Sequence, residues 1–333
     1  MSAGILTAAR APAPLTFAVS AVALALLAAT IGFAVEQLGR RLSAGVTGIL
    51  QSALGNLPEL FIGIFALRAG LVTVVQTALV GSILANSLLV LGLALFAGGV
   101  RNGRQKFAAE EPRAIGVLIV IAVAALIVPT LAVRLHTPAG AHAGALSVAS
   151  AVILLALFAA SVVFSLRAGA ANECEHDRAE TWPAALTFAA LGAASVASAF
   201  VSDWFVASLS PTIATLHVSQ AFTGLVIVAI AGNAVENVVG VTMAIKNKTD
   251  YAVSIILNSS LQVAVGLIPV LVLLSFVLGG PHLTLVMPAL LVVAVGLAAV
   301  VGLCVVFDGE SNWLEGAALV GLYGIIAAAF WWG

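Results

Sequence analysis

Apolar runs longer than 18 residues recur from one end of this chain to the other, and no other feature restricts its fold as strongly. A run of that length crosses the hydrocarbon of a bilayer as a helix and is too long for the roughly 10-residue strands of a membrane barrel. Hydrocarbon offers no partner to backbone N–H and C=O groups, so each run must satisfy them within itself. Of the 333 residues, 62% are hydrophobic and 8% charged, a balance that no soluble core absorbs. The chain is expected to be an all-α integral membrane protein.

Reading the apolar runs between charged or Pro/Gly breaks predicts ten spans, near 13–38, 43–67, 75–98, 114–134, 145–166, 183–203, 219–245, 253–278, 284–306 and 313–331. The run at 13–38 is longer than a signal-peptide core and contains Glu36, so it reads as a span. The only charge cluster between equal halves is Asn172–Glu180, which marks a seam. The expected organisation is a first transmembrane repeat over 13–168, an acidic linker over 169–181 and a second repeat over 182–333.

Thirteen Lys and Arg against 14 Asp and Glu leave no basic surface for nucleic acid. Two cysteines, Cys174 and Cys304, build neither a disulfide framework nor a thiolate metal site. Ten of the basic residues fall on one side of the ten-span arrangement, and only Arg10, Arg68 and Arg134 on the other. The positive-inside rule then places the linker and the 101–113 loop in the cytoplasm and both termini outside. The Arg101–Arg113 segment reads as a topology signal in contact with anionic lipid. No Ser/Lys, Ser/His or HExxH arrangement sits on facing spans, so neither an enzyme nor a cofactor is expected.

A repeat carries the chemistry. Gly55-Asn56-Leu57-Pro58-Glu59 recurs as Gly232-Asn233-Ala234-Val235-Glu236, 177 residues later. At the same displacement Gly81-Ser82 meets Asn258-Ser259, and the amides Asn86 and Gln262 fall one position apart. The motifs lie on the second and seventh spans, so an odd number of crossings makes them antiparallel. Inverted-topology repeats of this kind place a transport site at the midplane, where the repeats meet.

A carboxylate near the middle of a span costs several kcal/mol unless a cation, a proton or water meets it. Asn and Glu at i and i+3 share one helix face, and the preceding Gly, with Pro58 in the first copy, loosens the helix so that backbone carbonyls can face a cavity. Glu59 and Glu236 are the expected metal ligands, supported by oxygens of Asn56, Asn233, Ser82, Asn86, Ser259 and Gln262. Such a set suits a hard divalent cation. Facing carboxylates also repel one another when empty, so protons can take the cation's place. Gln51 and Ser52 precede the first motif on its span, while Glu36 and Asp203 sit near the ends of the first and sixth spans. Those four read as ion-path or relay residues, and for Glu36 and Asp203 a snorkelling structural role stands equally open.

These segments resemble the Ca2+/H+ antiporter family of the calcium/cation antiporter superfamily. The resemblance rests on Gly55–Leu60, Gly81–Asn86, Gly232–Asn237, Lys246–Asp250, Asn258–Gln262 and the C-terminal Asp308–Gly316. It implies paired motif glutamates that bind Ca2+ and exchange it for protons in a bacterial-type inner membrane. It also implies one gating helix ahead of two five-helix repeats, and that leading helix has no counterpart before the first span here. Asn237 stands where the family pattern has His, Asn258 where it has Gly, and Pro58 where it has a small polar residue. The transported ion stays open among Ca2+, Mn2+ and Na+. A passive cation channel is the rival from another class, distinguished by flux that neither needs nor makes a counter-gradient.

Overall fold

The computed structural model describes residues 11–39, 54–169 and 182–332. Because their backbone groups have no other partner in hydrocarbon, nearly all of these residues are helical. Among the described residues, eight helices are long and apolar enough to cross a membrane, or nine when one bent pair counts as a single span. In chain order the helices, long and short, are α1 (Ala13–Gly39), α2 (Leu57–Arg68), α3 (Val72–Asn102), α4 (Glu110–Arg134), α5 (Ala143–Gly169) and α6 (Ala184–Leu216). There follow α7 (Gln220–Gly232), α8 (Ala234–Ile245), α9 (Thr249–Ser275), α10 (Ala289–Val306) and α11 (Trp313–Trp331). Of these, α2 is short because it starts at a break in the helical backbone at Asn56.

The arrangement is sorted by burial. Helices α3 and α9 are largely enclosed, whereas α5, α6 and α11 expose most of their length. The exposed faces carry large apolar side chains, among them Leu26, Val152, Phe200, Val293 and Ile325, as a lipid-facing surface requires. Helices α1 and α6 run antiparallel. Phe17 stacks on Phe205 with centroids 4.6 Å apart, and Phe33 meets Trp182 edge-on at 5.1 Å.

Three of the expected spans have different limits. The sixth continues to Leu216, well past 203, so Asp203 lies in mid-helix and exposed rather than near an end. The polar pair Ser202-Asp203 suggested a boundary, but the helix continues because Ser202 turns inward while Asp203 faces out. The seventh is two helices, α7 and α8, bent by 62°. The ninth starts at Ala289, because Pro281 to Pro288 is extended, with Leu283, Leu285 and Met287 turned inward in alternation.

That extended strap is held by side chains from four helices. Its Leu283 N–H donates to Ser275 Oγ at 2.9 Å, Leu285 N–H to Ser147 Oγ at 3.0 Å and Met287 N–H to Thr130 Oγ1 at 3.0 Å. Thr130 donates in turn to Leu285 O, and Gln76 Nε2 donates to Thr284 O and Val286 O. These bonds do for an isolated strand what a sheet neighbour would do. At the opposite end of the bundle lies a short ladder, β1 (Gln105–Lys106) antiparallel to β2 (Glu310–Ser311). Arg104 pairs with Glu310 there at 2.8 Å, and Thr249 Oγ1 donates to Gln105 Oε1.

Candidate cation-binding site

Two asparagines break two helices in the same way. Asn56 has φ −92° and ψ 12°, and Asn233 has φ −93° and ψ 20°. Each break starts a 12-residue helix with a glutamate in its first turn, Glu59 in α2 and Glu236 in α8. A helix N-terminus favours negative charge, so each carboxylate meets a positive dipole end. Neither asparagine caps its own helix with its side chain; both amides bond sideways, and Asn233 Nδ2 also donates back to Ala229 O at 2.8 Å.

Those amides tie most of the predicted residues together. Ser82 Oγ donates to Glu59 Oε1 at 2.8 Å and accepts from Asn233 Nδ2. Asn86 Nδ2 donates to Asn233 Oδ1 at 2.9 Å and to Ser259 Oγ at 3.0 Å. A continuous chain therefore runs Glu59–Ser82–Asn233–Asn86–Ser259, crossing between the two halves of the sequence. Asn56 Nδ2 reaches Gln262 Oε1 at 3.4 Å, a second link between the halves. Glu236 lies close enough to act on Glu59 electrostatically.

Three buried oxygens near this chain have no hydrogen-bond partner among the described residues: Glu59 Oε2, Asn86 Oδ1 and Asn237 Oδ1. Carboxylate and amide oxygens are the donors that hard cations take, and a buried acceptor left alone costs about 1–3 kcal/mol. Among the described residues no three His, Cys, Asp or Glu side chains gather, so the charge of such a site would come from the glutamate pair.

Two backbone approaches position the chain. A Cβ at Gly81 would lie 2.6 Å from Leu225 Cα, and one at Gly224 would lie 2.6 Å from Val74 O, so α3 and α7 touch backbone to backbone. A Cβ at Gly232 would lie 2.7 Å from Glu59 Oε1. The carboxylate of one motif thus rests on the glycine of the other. The reverse contact is missing: no described atom lies within 4 Å of a Cβ at Gly55.

Sequence reasoning missed other features. Wide π-helical turns occupy Ala85–Val90, Thr223–Val228 and Val263–Leu267. Such turns are rare and cluster at functional sites, and here one carries Asn86 while another follows Gln262. No residue type announces them. Asn237 was noted only as a departure, yet its Nδ2 reaches back to Ile230 O across the break, at 3.5 Å. Of the weaker candidates, Glu36 is exposed near the end of α1 within electrostatic reach of Tyr251, and Asp203 is exposed in the middle of α6. Gln51 and Ser52 lie outside the described residues, as does the acidic segment Asn172–Glu180.

The family profile described as sodium/calcium exchanger protein matches residues 12–167 and again 186–332. The chain belongs to that family. Within the family, a Ca2+/H+ antiporter (ChaA) of Bacillus subtilis is 34% identical over 329 residues, covering 96% of this chain and 92% of that protein. A Ca2+/H+ antiporter of Synechocystis is 33% identical, covering 94% and 90%. The solved structure of native YfkE superposes with a TM-score of 0.85 at 32% identity, over 99% of this chain and 96% of that one. An H+/Ca2+ exchanger, CAX, shares the fold at a TM-score of 0.78 and 16% identity, over 98% and 88%. The resemblance read from the motifs therefore stands, and the exchanger fold is that of a membrane transporter.

Proposed function

We propose that this chain exchanges Ca2+ for H+ across a bacterial-type inner membrane by alternating access, with Glu59 and Glu236 sharing one midplane site. The observation that carries the reading is the chain Glu59–Ser82–Asn233–Asn86–Ser259, which joins both halves beside two carboxylates and three partnerless buried oxygens. A divalent cation satisfies those oxygens and cancels the carboxylate charge. Protons cancel the charge as well, so cation and protons compete for the same groups. Competition for one site is the minimal requirement for exchange, and it needs neither a cofactor nor a catalytic group. The names of the Bacillus and Synechocystis relatives support Ca2+ as the cation.

The proposed organisation is ten spans in two inverted five-helix repeats, over 13–168 and 182–333, joined by a cytoplasmic acidic linker over 169–181, with both termini outside. The matched asparagine breaks support it, as do the π-helical turns at 85–90 and 263–267 and the double match of one family profile. Asn56, Asn233, Ser82, Asn86, Ser259 and Gln262 supply supporting oxygens, and Glu36 is placed on the path toward them.

The test is flux in proteoliposomes with an imposed pH gradient, offering Ca2+, Mn2+ or Na+. Ca2+ should collapse the gradient, and Glu59→Gln or Glu236→Gln should abolish the collapse while the protein stays folded. Near-normal exchange in either variant removes that glutamate from the site. Collapse by Na+ alone makes the protein a sodium exchanger, and cation flux that needs no counter-gradient makes it a channel.

A further inference from the structure

One face of α9 is open where the matching face of α3 is closed. Between Tyr251 and Gln262, the residues that keep contact with solvent are Tyr251, Ser254, Ile255, Asn258 and Gln262, and the rest are buried. Spacings of three and four residues put the open positions on one side of the helix, and only Ile255 among them is apolar. At the displacement of 177 residues, Tyr251, Ser254, Asn258 and Gln262 correspond to Val74, Thr77, Gly81 and Ala85 of α3, all of them buried. There α7 covers the face, with Gly224 and Leu225 against the α3 backbone. The repeat therefore offers two equivalent faces, and only the one on α9 is open and polar.

The open face begins at an exposed carboxylate and ends at the cation site. Ser254 Oγ donates to Glu111 Oε1 at 2.9 Å, in the first turn of α4. Asn258 Nδ2 donates to Ser254 O at 3.0 Å and to Ser254 Oγ at 3.3 Å. Both amide hydrogens are thereby engaged, which turns the carbonyl oxygen of Asn258 away from Ser254. That oxygen has no hydrogen-bond partner among the described residues and, unlike Glu59 Oε2, is not sealed from water. One turn further on, Gln262 Oε1 accepts from Asn56 beside the first motif. From Ser254 to Gln262 the face covers about 12 Å of helix. It opens at the end of the bundle that holds the short ladder, where Ala108 N–H donates to Asp250 at 2.6 Å.

A hydrated cation can leave its water shell only where oxygens replace the waters, and a neutral oxygen holds it weakly enough to let it go. We propose that this face of α9 is the route by which a divalent cation passes between the ladder end of the bundle and the site. Asn258 Oδ1 is the oxygen that carries it, and Glu111 holds Asn258 in position through Ser254. Asn258 touches the cation in transit and does not hold it in the site. Ser254 and Glu111 are positioning residues. The inference rests on the exchange reading and adds to it the residues that govern entry from one side.

A transit contact changes rates without changing the equilibrium. Removing it should slow entry and release alike by about 3- to 10-fold, the factor that one ordinary polar contact carries, and leave Kd where it was. A ligand of the bound cation, or a residue that only supports the fold, would move Kd or the unfolding temperature instead.

Two measurements on the full chain test this. The first places single cysteines by Asn258→Cys, Gln262→Cys, Leu257→Cys and Leu261→Cys, with Cys174 and Cys304 replaced by Ser, and treats proteoliposomes with a charged methanethiosulfonate. The thiols at 258 and 262 should react at least about tenfold faster than those at 257 and 261, because thiol reactivity follows exposure to water. The second follows Ca2+ binding and release by stopped flow in detergent. Asn258→Ala should slow both rates about 3- to 10-fold with Kd unchanged. Ser254→Ala frees the amide to turn and should slow both by a smaller factor, and it keeps the test decisive if Asn258→Ala does not fold. Equal labelling at all four positions, or labelling at none, overturns the route. Unchanged rates, or a changed Kd, in a folded Asn258→Ala that binds Ca2+ overturn the role of Asn258 and leave the exchange reading intact. The expected labelling pattern on a chain that binds no Ca2+ sinks the exchange reading and the role of Asn258 with it.

Discussion

Replacing Gly232 by Ala tests the site at the point where the two motifs touch. The new Cβ would stand 2.7 Å from Glu59 Oε1 and 2.9 Å from its Cγ, where ordinary contact begins near 3.4 Å. The carboxylate must therefore move by about 0.7 Å, because its end is freer than the backbone of α7. That shift is cheap for the fold. Ala at a helix end is at least as favourable as Gly, so the unfolding temperature should not fall. It is expensive for the site, since Ca2+ holds its oxygens at about 2.3–2.6 Å and binding sites tolerate about 0.2 Å of error. The shift also strains the 2.8 Å bond from Ser82. A misplacement near 1 Å costs about 100-fold where geometry governs function, so Ca2+ affinity and exchange should fall about 10- to 100-fold. Calorimetry and gradient-driven flux measure the two, with thermal unfolding alongside. Gly55→Ala is the internal control, for no described atom lies within 4 Å of its Cβ, and it should change affinity by less than about threefold. Wild-type affinity in Gly232→Ala, or an equal loss in both variants, would refute the contact between the motifs as the cause.

Thr130→Val keeps shape but strips the hydroxyl that serves Leu285 O and Met287 N–H, leaving two buried backbone groups alone at about 1–3 kcal/mol each. Hydrogen exchange over 283–287 should accelerate at least tenfold, and unchanged protection would mean that the strap does not depend on this threonine. Gly81→Ala sets a Cβ 2.6 Å from Leu225 Cα, with backbone on both sides and nothing free to yield. A loss of roughly 1–3 kcal/mol is expected, seen as a lower unfolding temperature in detergent, and a stable variant would show that α3 and α7 can part. Asp203→Asn, exposed in the middle of α6, should leave exchange within about threefold of wild type, and a larger loss would bring it back into the ion path.

The two glutamates and their partners were legible because burying a carboxylate in a membrane span is costly, and recurrence at one displacement rarely arises twice by accident. Six supporting residues named from that recurrence do meet, four in one chain and two through a single bond. The asymmetry was not legible. Gly55 and Gly232 are equivalent in the motif, but only Gly232 carries a carboxylate against its backbone. Likewise Ser202-Asp203 reads as a boundary, although one residue faces the core and the other does not.

Hydropathy alone decided that this chain is helical and spans a membrane, because backbone groups in hydrocarbon have no partners beyond their own helix. The sequence also singled out Glu59 and Glu236 as charges within spans, where a carboxylate is costly unless a cation, a proton or water meets it. Tertiary structure decided the rest. Only contact between helices determines where α7 bends, which side of each motif is closed, and how residues 281–288 find partners on four different helices. Period and composition describe one segment at a time, and these features depend on what a neighbouring segment places alongside.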